Sequence, residues 1–289
     1  MLGHVDEPKL RSAVLSFLTS LLKCPSCRNT FTDTNGIQPL AKIFNDNNYN
    51  ITVQLGCLKV FLSLAADETA VDALAEANIV TAVVRQLAAA SARGEGERIL
   101  TSLQLVRALA KGSDSAKVPV REAGGVEKLL EIIHSVPSGV DKKVCLEEAG
   151  MALAQLINDE DAVSTVMSTD VGFSDLFALI SNEGSNEEVV EALLRQFSIL
   201  IREGQSCAAL IKCGLIPAVV QALASSSLSV KSLSLKVILI LASQSWFPLF
   251  PFLIFQLSFL LLINLIWFTS LSNLTEKNRH PMIDAGVIP

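Results

Sequence analysis

The chain has 289 residues, half of them hydrophobic but only 6% aromatic, and a net charge of −6. The length supports a sizeable core, and the Ala, Leu, Val and Ile that dominate it suit close helix-on-helix packing. The acidic balance argues against a broad basic nucleic-acid footprint. Residues 1–10, with His4, Asp6, Glu7 and Lys9, have neither the apolar stretch nor the small-residue cleavage site of a secretory signal. Six cysteines are too sparse for a disulfide framework. A reducing setting, cytoplasmic or nuclear, is therefore expected. In that setting Asn50-Ile51-Thr52 and Asn273-Leu274-Thr275 are chance glycosylation matches.

In chain order, residues 10–22 predict a first helix, followed by the connector Cys24-Pro25-Ser26-Cys27. A phrase then recurs: a small residue or Gly, then an apolar, often Pro-containing helix start. It reads Asn35-Gly36-Ile37, Asn78-Ile79-Val80, Gly124-Gly125-Val126, Val171-Gly172-Phe173, Gly214-Leu215-Ile216 and Gly286-Val287-Ile288. With Gly36, Asn78, Gly124, Val171, Gly214 and Gly286 as equivalent points, the spacings are 42, 46, 47, 43 and 72. Four of the five lie within the roughly 40–47 residues of stacked helical repeats.

Each repeat has one internal order. A short helix ends at the Gly, where φ > 0 costs little. A second helix carries apolar residues at helical spacing, such as Val80, Val83, Val84 and Leu87, or Val126, Leu129, Leu130 and Ile133. A polar break follows, such as residues 45–48 or 181–184. The third helix is longer, for example residues 187–201 with Val190, Leu193, Leu194, Phe197 and Leu200 inward. A lone unit could not bury these faces, so neighbours must stack.

This order resembles the armadillo-repeat family, most closely at residues 122–130 (EAGGVEKLL), 212–222 (KCGLIPAVVQA) and 271–289 (LSNLTEKNRHPMIDAGVIP). HEAT repeats are the close rival, and the Gly between first and second helices favours armadillo. The resemblance implies an all-α fold, a right-handed superhelical solenoid of about six units, two of them partial. Residues 10–22 read as a third helix without its first two, and 286–289 open a second helix and stop. The chain is accordingly expected to be a piece of a longer array.

The 72-residue spacing coincides with residues 246–268, WFPLFPFLIFQLSFLLLINLIWF, which carry no charge. As a helix they would span roughly 34 Å, enough for a hydrocarbon core. Trp246 and Trp267 sit near the ends, where interfacial aromatics belong, and Pro248 and Pro251 fall in the first turns. Three readings stay open: a transmembrane helix, a translated retained intron, and a buried or interfacial hairpin. Charges on both flanks (Lys231 and Lys236, Lys277 and Arg279) give no positive-inside bias, and excision of the segment restores the period. The organisation is thus 1–242, repeat array; 243–270, apolar insertion; 271–289, resumed repeat.

No enzyme is expected. Cys24 and Cys27 are read as ordinary connector thiols, because no second ligand pair completes a zinc site and the βαβ setting of a redox motif is absent. Cys57, Cys145, Cys207 and Cys213 are read as small buried fillers. His134 is placed at a helix end and His280 in a connector. Gly94-Glu95-Gly96 is a polar loop, not a phosphate cradle. Importin alpha holds basic peptides with a Trp and, four residues later, an Asn. The matching pairs here, Lys59/Ser63, Gln104/Ala108, Met151/Gln155 and Gln196/Leu200, supply neither. The expected function is a scaffold or adaptor that binds partner peptides or helices along the concave face of third helices. Its candidate contacts are Lys59, Gln104, Arg107, Gln155, Arg195 and Gln196. Protein partners are expected, with no cofactor, metal or nucleic acid. The alternative is a membrane-anchored adaptor using residues 246–268.

Overall fold

The computed structural model describes residues 8–46, 50–158, 160–169, 172–182, 185–203 and 207–243. The apolar stretch 246–268 and the resumed repeat 271–289, with Trp246, Trp267, His280 and Gly286, lie outside the described residues. The backbone divides into two units, Met1–Leu241 and Ala242–Pro289, and nearly all described residues belong to the first.

The described residues form sixteen helices. α1 (Pro8–Leu21) stands alone. Five three-helix units follow: α2 (Pro25–Asp33), α3 (Ile37–Asn45), α4 (Ile51–Leu64); α5 (Glu68–Glu76), α6 (Ile79–Arg93), α7 (Gly96–Gly112); α8 (Asp114–Glu122), α9 (Gly125–His134), α10 (Lys142–Leu156); α11 (Glu160–Ser168), α12 (Gly172–Ser181), α13 (Glu187–Glu203); and α14 (Cys207–Lys212), α15 (Leu215–Ala222), α16 (Leu228–Ser243).

The turn from first to second helix uses a left-handed residue in every unit, and two of the expected positions are corrected by one residue. Asn78, Gly124 and Gly214 have φ of 55°, 78° and 103°, as expected of these points. In the first unit the left-handed residue is Asn35 (φ 57°), while Gly36 is right-handed at −65°. Asn tolerates this region because its short polar side chain finds local partners. Gly36 is needed for another reason: a Cβ there would stand 2.7 Å from the Phe31 ring. In the fourth unit Gly172 is the left-handed residue (φ 51°), and Val171 lies outside the described residues. The left-handed points are then 43, 46, 48 and 42 residues apart. Third and first helices start differently, on side-chain caps: Asn50, Asp67, Ser113 and Asp141 each accept from a backbone N–H two or three residues on.

Equivalent helices stack on one another. Third helices α1, α4, α7, α10 and α13 pack in succession, as do second helices α3, α6, α9, α12 and α15, and first helices α2, α5 and α8. One core of buried residues runs from Leu15 to Leu241. The inward residues read from α6, α9 and α13 are all buried. Aromatics anchor two places: Phe44 meets Phe61 edge-on at 5.3 Å, and Phe173, Phe177 and Phe197 form a cluster with centroids 5.5–6.0 Å apart. Cys57 and Cys145 are buried as expected, but Cys207 is half-buried and Cys213 exposed. Both lie on or beside the short α14, where the six-residue helix leaves them uncovered.

Candidate functional site

The third helices present one face to solvent, and the sequence-derived candidates map onto it. On α4, Lys59 Nζ lies 2.6 Å from Glu97 Oε1 of α7. On α7, Gln104 and Arg107 are one turn apart and share a face. The Arg107 guanidinium donates to Glu148 Oε2 of α10 at 3.1 Å, and Glu148 is only 14% exposed. On α13, Arg195 is 63% exposed and 4.0 Å from Glu191 of its own helix.

Two hollows lie along this face. One of about 460 Å³ opens between α4, α7 and α10, lined by Leu62, Glu68, Gln104, Arg107, Lys111 and Glu148 among others. The next, about 300 Å³, opens between α7, α10 and α13, lined by Arg107, Lys111, Met151, Gln155, Glu188, Glu191, Ala192 and Arg195. They share Arg107 and Lys111 in their linings and so lie side by side, a row of hollows that makes a groove along the third helices. Of the expected contacts, Gln104, Arg107, Gln155 and Arg195 line the groove. Lys59 pairs across α4 and α7 beside it. Gln196 is half-buried and lines neither hollow, and Leu200, one turn on, is in the core at 3% exposure. Ser63 Oγ donates to the Lys59 carbonyl at 3.0 Å, so that hydroxyl serves its own helix.

Sequence reasoning missed Lys111 and Glu191, one turn from Arg107 and Arg195, and Glu148 and Glu188, two turns from Gln155 and Arg195. It also missed the polar contact between α4 and the start of α7. There Arg98, 3% exposed, donates to Glu95 Oε2 at 2.6 Å and to Gln54 Oε1 at 3.0 Å. The signal was present as spacing, since Gln54 and Arg98 stand 44 residues apart and Arg107 and Glu148 stand 41 apart, about one repeat.

His134 ends α9 as expected, and its Nδ1 lies 2.9 Å from Asp175 Oδ2 of α12, exposed to solvent. Among the described residues no group of three or more His, Cys, Asp or Glu is placed to hold a metal ion. Among them, too, no single helix is long and apolar enough to cross a membrane.

A stack of three-helix units with a polar groove along its third helices defines an all-α repeat solenoid. Solved structures place it more narrowly. A designed armadillo repeat protein is similar over 83% of this chain and 96% of its own, with 19% identity and a TM-score of 0.68. Another, solved in complex with a (KR)4 peptide, is similar over the same shares at 18% identity and TM-score 0.68. A third, from computationally designed armadillo repeat proteins for modular peptide recognition, reaches TM-score 0.69 at 19% identity. The chain has the armadillo-repeat fold. No family model matches the sequence, and none of the curated proteins matches it.

Proposed function

We propose that this chain is a protein-interaction scaffold, and that a partner's extended segment or helix lies in the groove along α4, α7, α10 and α13. The observation that carries the reading is the pair of hollows joined at Arg107 and Lys111. Adjacent hollows over successive units suit an extended ligand, since each unit adds a similar increment of surface. One of the structural neighbours was solved with a peptide, (KR)4, which supports the mode of binding and not the identity of the ligand. The groove here mixes signs: Arg107, Lys111 and Arg195 alternate with Glu68, Glu148, Glu188 and Glu191. It therefore favours a segment that itself carries both signs.

The test is charge reversal at the exposed Lys111 and Arg195, with the exposed Glu122→Lys at the end of α8, outside the groove lining, as control. K111E/R195E is expected to lose captured partners while helicity and melting stay unchanged; E122K is expected to keep both. An identical set of captured proteins for all three forms would remove the proposal. Arg107 is a poorer probe than its position first suggests. Reversing it would set a second carboxylate against the largely buried Glu148, and the fold would weaken along with binding.

The membrane-anchored reading rests on the 23 uncharged residues 246–268. Carbonate extraction of cell membranes tests it: a chain released by carbonate is not anchored by that segment.

A further inference from the structure

Cys24 and Cys27 flank the first turn of α2, and the groove makes no use of them. Cys24 stands just before the helix in extended backbone (φ −81°, ψ 124°), with Pro25 in the first helical position. Its carbonyl accepts the first helical hydrogen bond, from the Arg28 N–H at 3.2 Å. The N–H groups of Ser26 and Cys27 have no helical acceptor and favour a negative Cys24 sulfur, although neither closes a cap hydrogen bond. The Ser26 hydroxyl lies 3.1 Å from Cys24 Sγ. With Pro25 and Ser26 helical, the two cysteine Cα atoms stand about 5 Å apart, within the span of a disulfide.

The surroundings hold this arrangement ready. The Arg28 guanidinium donates to the carbonyls of Leu22 at 3.0 Å and Lys23 at 3.2 Å, clamping the connector before Cys24 to the first turn of α2. Both cysteines are free thiols; Cys24 is exposed and Cys27 half-buried. The Ser26 hydroxyl, with help from the Cys27 N–H and thiol, holds the Cys24 thiol down to about 7 from an ordinary 9.0. Desolvation, then the Cys24 sulfur beside it, push Cys27 up. The pair is therefore asymmetric: one accessible thiolate and one shielded thiol. The buried Cys57 and Cys145 are the opposite case, pushed up by desolvation to about 12 and about 11. A sheet is not required for this chemistry. What it requires is a helix start aimed at one sulfur and a second sulfur one turn away, and α2 supplies both.

We propose that Cys24 and Cys27 form a thiol–disulfide exchange pair whose substrates are accessible disulfides of the glutathione class. The Cys24 sulfur, as thiolate, bonds to one sulfur of the incoming disulfide and expels the other, which takes up a proton. Cys27 then loses its proton, attacks the Cys24 sulfur and expels the second thiolate, which is protonated in turn. Two protein thiols are oxidised by two electrons, and one disulfide is reduced to two thiols.

The test incubates the full chain with graded glutathione and glutathione disulfide at pH 7 and follows residues 24–27 by mass spectrometry. A reversible Cys24–Cys27 disulfide is expected, titrating with the glutathione ratio. Cys27→Ser should trap one glutathione on Cys24, and Cys24→Ser should take it up more slowly at Cys27, by at least the roughly sixfold expected of a thiol that desolvation keeps above 9.0. Iodoacetamide should modify Cys24 about sixfold faster than a thiol of pKa 9.0: the thiolate fraction rises about fiftyfold, and lower nucleophilicity returns about eightfold. Ser26→Ala should slow that reaction. Two results would overturn the proposal: no intramolecular disulfide at any ratio, or a Cys27 that reacts faster than Cys24.

Discussion

Among the buried polar side chains of the described residues, Arg98 is the charged one, and its neighbours make a sharp prediction about what holds α4 to α7. The guanidinium has two acceptors, Glu95 at 2.6 Å and Gln54 at 3.0 Å, while Nε has none. Replacing Glu95 by Ala leaves a buried charge facing one neutral amide. Breaking a buried pair from one side costs about 3–5 kcal/mol. The Glu95 side chain is 20% exposed, so water replaces part of the lost contact, and the low end, about 3 kcal/mol, is expected. Replacing Arg98 by Met removes the charge together with its desolvation and keeps much of the stem. The residual cost is chiefly the stranded Gln54 carbonyl, about 1–2 kcal/mol, because Glu95 keeps water and Arg93 at 3.7 Å. Glu95→Ala should therefore be worse than Arg98→Met by about 1–2 kcal/mol on these ranges, about a five- to thirtyfold change in the opening equilibrium. Adding Gln54→Leu to Arg98→Met should recover most of the second loss. Urea denaturation followed by circular dichroism reads the midpoints. Hydrogen exchange in α4 and α7 reads the local opening that a stack with neighbour-only contacts permits. An Arg98→Met chain as unstable as Glu95→Ala would refute the account, because it would mean that the ion pair itself stabilises the fold.

Two further outcomes test the packing and the caps. Phe197→Ala removes the ring that meets both Phe173 and Phe177, and should cost about 3–5 kcal/mol, with hydrogen exchange rising first in α12 and α13. Asp67 caps α5 by accepting from the Thr69 N–H at 3.0 Å and hydroxyl at 2.7 Å, chiefly the hydroxyl holding its carboxyl below the usual 3.8. Asp67→Ala should cost about 1 kcal/mol at pH 7. A depressed carboxyl contributes fully above its unfolded value and loses that contribution as pH falls through the folded one. The gap between wild type and Asp67→Ala should thus be constant above about pH 5 and close as pH falls below 3.8.

Much of the core was legible because helical spacing alone assigns inward positions: Val80, Val83, Val84 and Leu87 are buried whatever the neighbouring units contain. The turn residues were harder. In Asn35-Gly36 both types tolerate positive φ, so the letters alone do not say which one turns; Asn35 does, while Gly36 leaves room for the Phe31 ring. In Val171-Gly172 matching the phrase by position picked the residue before the glycine that turns. The same limit hid half of the groove. Glu148, Glu188 and Glu191 look like solvated helix charges along the sequence. Glu148 acquires meaning only opposite Arg107, on a different helix. Cys213 was misread for a related reason, since burial depends on what α14 is too short to cover.

The separations of the polar contacts point to how such a groove selects. Lys59–Glu97, Arg107–Glu148, His134–Asp175 and Gln54–Arg98 are 38, 41, 41 and 44 residues apart, close to one repeat, because equivalent helices face each other in successive units. Lys59 and Arg107, on or beside the proposed binding face, are accordingly paired before any partner arrives. Exposed pairs such as Lys59–Glu97 are worth only about 0–1 kcal/mol, so exchanging them for a ligand's charges is nearly neutral. Arg107–Glu148 is different. A ligand carboxylate that drew Arg107 away would leave Glu148, only 14% exposed, without its cation. Such a ligand gains affinity only if it also sets a basic group against Glu148, on the neighbouring helix. The face would thus reject a purely acidic segment at this point and accept one whose acidic and basic side chains follow the spacing of α7 and α10.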